Sequence, residues 1–107
     1  MEREQRRTPR YVFFAAAELI EEKSEVRIAS RLSELGLHGC YLDMMNPFPV
    51  GTPILLKIWT EESTVFQTKC KVIYSQPNMG AGVEFMDVEP KDLAVLQHWL
   101  EEAAKES

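Results

Sequence analysis

The chain has 107 residues with 12 basic and 17 acidic side chains, a formal net charge of -5. Residues 1–10 hold four arginines (Arg3, Arg6, Arg7, Arg10) against two glutamates, a local excess of +2, which leaves -7 on the remainder. An acidic body with a short basic head excludes a grip on long nucleic acid through a broad positive surface. A small anion held by a few arginines stays within reach.

Residues 1–11 are polar, arginine-rich and contain Pro9, which predicts a flexible basic arm ahead of a single domain over 12–107. Val12-Phe13-Phe14-Ala15-Ala16-Ala17, continued by Leu19-Ile20, predicts a buried strand, with the alanine run leaving a helix open. Glu21 to Glu25 is a charged turn. Val26, Ile28, Ser30 and Leu32 then alternate with Arg27, Ala29 and Arg31, the period of a strand with one wet face. Ser33 to Gly39 contains two glycines and is expected as a loop.

Cys40 to Met44 follows as a short strand, stopped by Asn46-Pro47-Phe48-Pro49. Ile54 to Trp59 is the next. The clearest alternation is Phe66, Thr68, Cys70, Val72 and Tyr74 against Gln67, Lys69 and Lys71, a long strand with those first five on its buried face. Gln76 to Gly80 is a turn and Gly82 to Phe85 the last strand. From Pro90 the period changes: Leu93, Leu96, Leu100 and Ala103 lie on one face of an amphipathic helix over about 90–104. Six short strands in so small a chain need closure or a cover. The expected fold is therefore mostly β: a closed or split six-stranded antiparallel barrel with one C-terminal helix.

No apolar run approaches the ~20 residues that span a membrane. MEREQRRTPR is followed by no hydrophobic segment with a small-residue cleavage site, so a cytoplasmic location is expected, with Cys40 and Cys70 as free buried thiols. Acid–base or nucleophilic chemistry needs a His, Cys or Ser with an orienting partner. Only His38 and His98 are present, and His98 sits beside Trp99 on the helix as a surface or packing residue. His38 and Cys40 have no second ligand pair, so neither a metal centre nor a catalytic residue is expected. No phosphate-cradling or dinucleotide fingerprint occurs, and no cofactor is predicted.

The basic head is more specific. Arg6 and Arg10 form an R-x-x-x-R segment with Arg7 inside it. A guanidinium can fork onto phosphate oxygens, bond the Hoogsteen edge of guanine, or stack on a purine. The bland alternative is a solubilising tail. The second feature is Glu34-Leu35-Gly36-Leu37-His38-Gly39, where a carboxylate can accept from a guanine N1–H and amino group. Its glycines would let backbone approach a ligand closely, or simply serve the turn.

Together RRTPRYVF, ELGLHGCYLDM, PFPVGTPILLKI and MGAGVEF, in that order before a terminal helix, resemble a PilZ domain over about Arg6 to Leu100. The resemblance implies a six-stranded barrel with a C-terminal helix that binds cyclic di-GMP through R-x-x-x-R and a [D/N]-x-S-x-x-G motif. Arg6 and Arg10 match the first motif. For the second, one register places Glu34, Gly36 and Gly39 at the acid, serine and glycine positions; the other places Arg31, Ser33 and Gly36 there. The first keeps a carboxylate and sets the glycine beside the following strand, and is preferred.

The expected role is a non-enzymatic receptor for cyclic di-GMP, with Arg6, Arg7 and Arg10 as clamp and Glu34, Gly36 and Gly39 as the opposing side. It would signal to a protein partner in trans, with no DNA, RNA or membrane partner. The exposed side of the helix, or the barrel itself, would supply that contact or a homodimer contact. The alternative is a degenerate PilZ-fold module that binds proteins and no nucleotide.

Overall fold

The computed structural model describes residues 9–106; Arg6, Arg7 and most of the expected arm lie outside the described residues. Six strands run in chain order: β1 (Arg10–Glu21), β2 (Arg27–Gly36), β3 (Gly39–Asp43), β4 (Pro53–Trp59), β5 (Val65–Gln76) and β6 (Gly80–Met86). One helix follows, α1 (Pro90–Glu106). The strands pair antiparallel throughout in the order β1-β2-β3-β6-β5-β4, and β1 returns to β4 to close the barrel. Closure satisfies the edge groups that an open sheet of this size would expose.

Inward positions fill the interior with apolar groups. Leu19, Leu32, Leu42, Ile54, Leu56, Ile58, Phe66 and Val83 are all fully enclosed. Helix α1 lies against β5 and β1 and buries Leu96 and Trp99. Trp99 meets Phe13 at 5.5 Å and Phe66 at 6.3 Å between ring centroids. Asp92, in the first turn of α1, accepts a hydrogen bond from the Gln67 N–H at 2.9 Å and so ties the helix to β5.

The strand expected over the alanine run is found, and two other sequence-based expectations change. The alanine run is strand, because Ala17 and Leu19 point inward in the β1 ladder between β2 and β4. The arm does not extend to residue 11, since Arg10 already pairs with Gly36 as the first residue of β1. Ser33 to Gly39 is not a loop: β2 runs to Gly36 and β3 starts at Gly39, leaving only Leu37 and His38 between them. Three ladders also carry an irregularity, the first in the β1–β2 pairing between Val12 and Ala15. The β2 pairing with β3 shifts between Leu32 and Glu34, and the β5 pairing with β6 shifts between Val72 and Tyr74. Each inserted residue sends the following side chain to the other face. Tyr74, expected inside with Val72, is therefore 40% exposed on the outer surface.

Cys40 and Cys70 are both free and buried. Burial pushes the Cys70 thiol up to about 12 and Cys40 well above the usual range. An unfolded thiol ionises near pH ~8.5, so above that the unfolded chain releases protons that the folded chain retains. Stability therefore falls as pH rises, by up to about 1.4 kcal/mol per thiol per pH unit. Urea denaturation is expected to show a lower midpoint at pH 10 than at pH 8. A Cys40→Val/Cys70→Val variant should flatten that slope; an unchanged slope would assign the effect to other groups.

Candidate ligand-binding site

The site is assembled where β1 begins beside the turn from β2 to β3. Pairing of Arg10 with Gly36 sets the arginine at the edge of this turn. Its side chain is only 16% exposed and runs across the glycines. A Cβ added at Gly36 would stand 3.1 Å from the Arg10 Cγ, and one added at Gly39 would stand 3.5 Å from the Arg10 Nη2. Nη1 of Arg10 donates to Oε1 of Glu34 at 3.1 Å. Four of the six residues expected from sequence are thus brought together: Arg10, Glu34, Gly36 and Gly39. The other two, Arg6 and Arg7, lie outside the described residues.

Glu34 reaches this surface through the β2 irregularity. With unbroken alternation from Ile28, Ser30 and Leu32, residue 34 would face the core. The shift instead turns Leu35 inward and leaves the Glu34 carboxylate 41% exposed. Gly39 has a different reason to lack a side chain, since a Cβ there would collide with the carbonyl oxygen of Val83 on β6. The His38 carbonyl accepts the Phe85 N–H at 2.8 Å, which anchors the turn to β6 from the other side.

The alternative register has other partners. Arg31 donates from Nε and Nη2 to Oδ2 of Asp43 at 3.3 and 3.0 Å, and Ser33 Oγ donates to Asp43 Oδ1 at 3.1 Å. The Arg31 guanidinium also lies 5.2 Å from the centre of the Phe14 ring. Arg31 and Ser33 therefore fasten β2 to β3, and Arg31 is roughly 16 Å along the strand from Gly36. Arg10 also lines a groove of about 790 Å³ between the start of β1 and the end of α1. Glu102 and Glu106 stand in that groove, where their carboxylates repel an anion.

Among the described residues, no group of three or more His, Cys, Asp and Glu side chains is arranged to hold a metal ion. His98 is exposed on α1. No described helix is long and apolar enough to cross a membrane.

Sequence reasoning missed Tyr41 and Tyr74 as surface residues of this region. Tyr41 pairs directly with Glu34 across β2 and β3, between the inward-facing Cys40 and Leu42. The only local signal was its place in that alternation; its neighbours on β6 and β5 depend on the closed register.

This is the architecture of a small closed six-stranded β-barrel with one C-terminal helix packed against it. Residues 4–102 match the sequence pattern of the PilZ domain, and the chain belongs to that family. The fold is similar to the PilZ domain of YcgR from Escherichia coli with cyclic di-GMP, at 16% identity and a TM-score of 0.76, covering 96% of this chain and 94% of that one. It is also similar to the Bacillus subtilis inhibitor of motility (MotI/DgrA), at 16% identity and a TM-score of 0.74, covering 95% of this chain and 53% of that one. The PilZ domain of CeSA from a cellulose-synthesizing bacterium shares 13% identity with a TM-score of 0.68, over 87% of this chain and 96% of that one. At these identities the likeness is one of fold. The chain spans about half the length of the Bacillus protein. Comparison with curated proteins gives no match.

Proposed function

We propose that this domain is a cytoplasmic, non-enzymatic receptor for cyclic di-GMP. The observation that carries the reading is the placement of Arg10 across Gly36 and Gly39 with its guanidinium on Glu34. Arg10, joined by Arg6 and Arg7, clamps the two phosphates and the guanine faces. Glu34 accepts from the N1–H and amino group of one guanine, and the bare backbone at Gly36 and Gly39 admits the ligand. Membership of the PilZ family and similarity to a YcgR domain described with cyclic di-GMP support the choice of ligand. Arg10 must then exchange the Glu34 carboxylate for phosphate, and this rearrangement alters the surface offered to a protein partner.

One observation favours a second reading, a PilZ-fold module that binds protein and no nucleotide. The Arg10 charge is already answered by Glu34, and Gly36 supplies no hydroxyl where the family motif has serine. Calorimetric titration separates the two. Saturable heat on adding cyclic di-GMP supports the receptor; no heat up to about 100 μM ligand, or binding weaker than roughly 5.5 kcal/mol, leaves the second reading.

The missing serine yields a further expected result. Gly36 lacks the left-handed φ that would bar a side chain, and its closest neighbour is the flexible Arg10 stem. Gly36→Ser should therefore fold normally and gain one hydrogen bond to the ligand. That contributes about 0.5–1.5 kcal/mol, or up to about tenfold in affinity. Gly36→Ala should show no such gain, and equal affinities for the two variants would remove the hydroxyl from the account.

A further inference from the structure

Two of the shifts in strand pairing, those of β2 against β3 and of β5 against β6, act on one surface. Without them Glu34 and Tyr74 would both point into the barrel; with them both face outward. Cross-strand pairing then sets Glu34 opposite Tyr41, Tyr41 opposite Gly82, and Gly82 opposite Tyr74. The four residues form a continuous row over β2, β3, β6 and β5, with neighbours about 4.5–5.5 Å apart at Cβ where a side chain is present.

Gly82 in this row and Gly80 beside it on β6 make a trough that the two tyrosine rings occupy. A Cβ on Gly80 would stand 2.8 Å from Cε2 of Tyr41, and a Cβ on Gly82 would collide with the Tyr74 ring. The rings therefore lie against the sheet. Their centroids are 6.0 Å apart with planes inclined by 32°. The Tyr41 hydroxyl donates to Oε1 of Gln76 at 2.8 Å, which holds that ring in place. Tyr74 remains 40% exposed although its ring also covers a glycine. A pair of adjacent rings inclined by only 32° and pressed onto backbone, beside a carboxylate that accepts from a base edge, suits a flat heterocycle.

We propose that Tyr41 and Tyr74 form a stacking floor for one guanine of the bound cyclic dinucleotide, so that Glu34 meets the edge of a base whose face rests on the tyrosines. Arg10 stands at the opposite end of the same surface, beside the phosphates. The floor rests on the receptor reading and adds the residues that select a planar base.

Nuclear magnetic resonance of cyclic di-GMP with the unaltered protein, joined to calorimetry of Tyr74→Leu and Tyr74→Phe, tests it. Ring currents should move a guanine H8 resonance upfield. Tyr74→Leu should weaken binding by about tenfold or more, while Tyr74→Phe keeps most of the affinity. An unshifted H8 in a saturated complex overturns the floor whether or not the leucine variant folds, as does wild-type affinity in a folded Tyr74→Leu. Both results leave the receptor standing. Absence of any binding by the unaltered protein overturns the floor and the receptor together.

Discussion

Gly39→Ala is expected to destabilise the barrel by about 2–4 kcal/mol, with little dependence on ligand. The new Cβ would be driven into the carbonyl oxygen of Val83, a backbone atom of β6. Gly39 pairs with Glu84 and Cys40 with Val83, so this oxygen belongs to the ladder that joins β3 to β6. In an open sheet the strand could slide outward. Here β3 is also held by β2, and β6 by β5, within a closed circuit of strands. Relief must stretch or break ladder hydrogen bonds, each contributing about 0.5–1.5 kcal/mol. For a domain of this size that corresponds to a fall in melting temperature of roughly 10–20 °C. Gly36→Ala is the matched control. Its Cβ meets a movable arginine stem at 3.1 Å, so its loss should stay below about 1 kcal/mol. Thermal or urea denaturation of both variants measures the difference. Equal stabilities would mean that β3 and β6 can separate without penalty.

Arg10→Ala is expected to do the reverse, removing affinity while sparing the fold. A guanidinium that forks onto phosphate makes charge-assisted hydrogen bonds of about 1.5–3 kcal/mol each, so losing it should weaken cyclic di-GMP binding about 100-fold. The unliganded protein loses mainly the pair with Glu34. That carboxylate is 41% exposed, and such ion pairs contribute about 0–1 kcal/mol. Arg10→Lys should recover little, because an ammonium on a flexible stem cannot bridge two oxygens in one plane. Calorimetry gives the affinities and urea denaturation the stabilities. Full binding by Arg10→Ala would remove the clamp, whatever role the arm retains.

Both results depend on features of unequal visibility in the chain. Pro90, with the 3.6-residue spacing of Leu93, Leu96 and Leu100, made α1 legible, and the structure extends it only to Glu106. The alternation from Phe66 to Val72 made β5 legible for the same reason: burial on one face imposes a period of two. Arg10, Glu34, Gly36 and Gly39 were legible as candidate site residues because their spacing follows the two family motifs, with Glu34 and Gly36 departing from the expected residue types. Their geometry was not. Glu34 was expected on a loop and stands on a strand, and Arg10 was expected on an arm and opens β1. Alternation placed Tyr74 inside, where a single inserted residue at Ile73 turned it out.

The amino-acid sequence by itself determined the order of six strands and a helix, the apolar face of most of them, and the residue types of the candidate site. Those follow from periodicity and side-chain chemistry, which act over a few neighbouring positions. Tertiary structure alone decided which residues share the outer row. Glu34, Tyr41, Gly82 and Tyr74 come from four strands, and their meeting depends on the register of three ladders and on the two shifts within them. Register is settled by packing the whole interior at once, since moving any strand by one residue would exchange its buried and exposed faces.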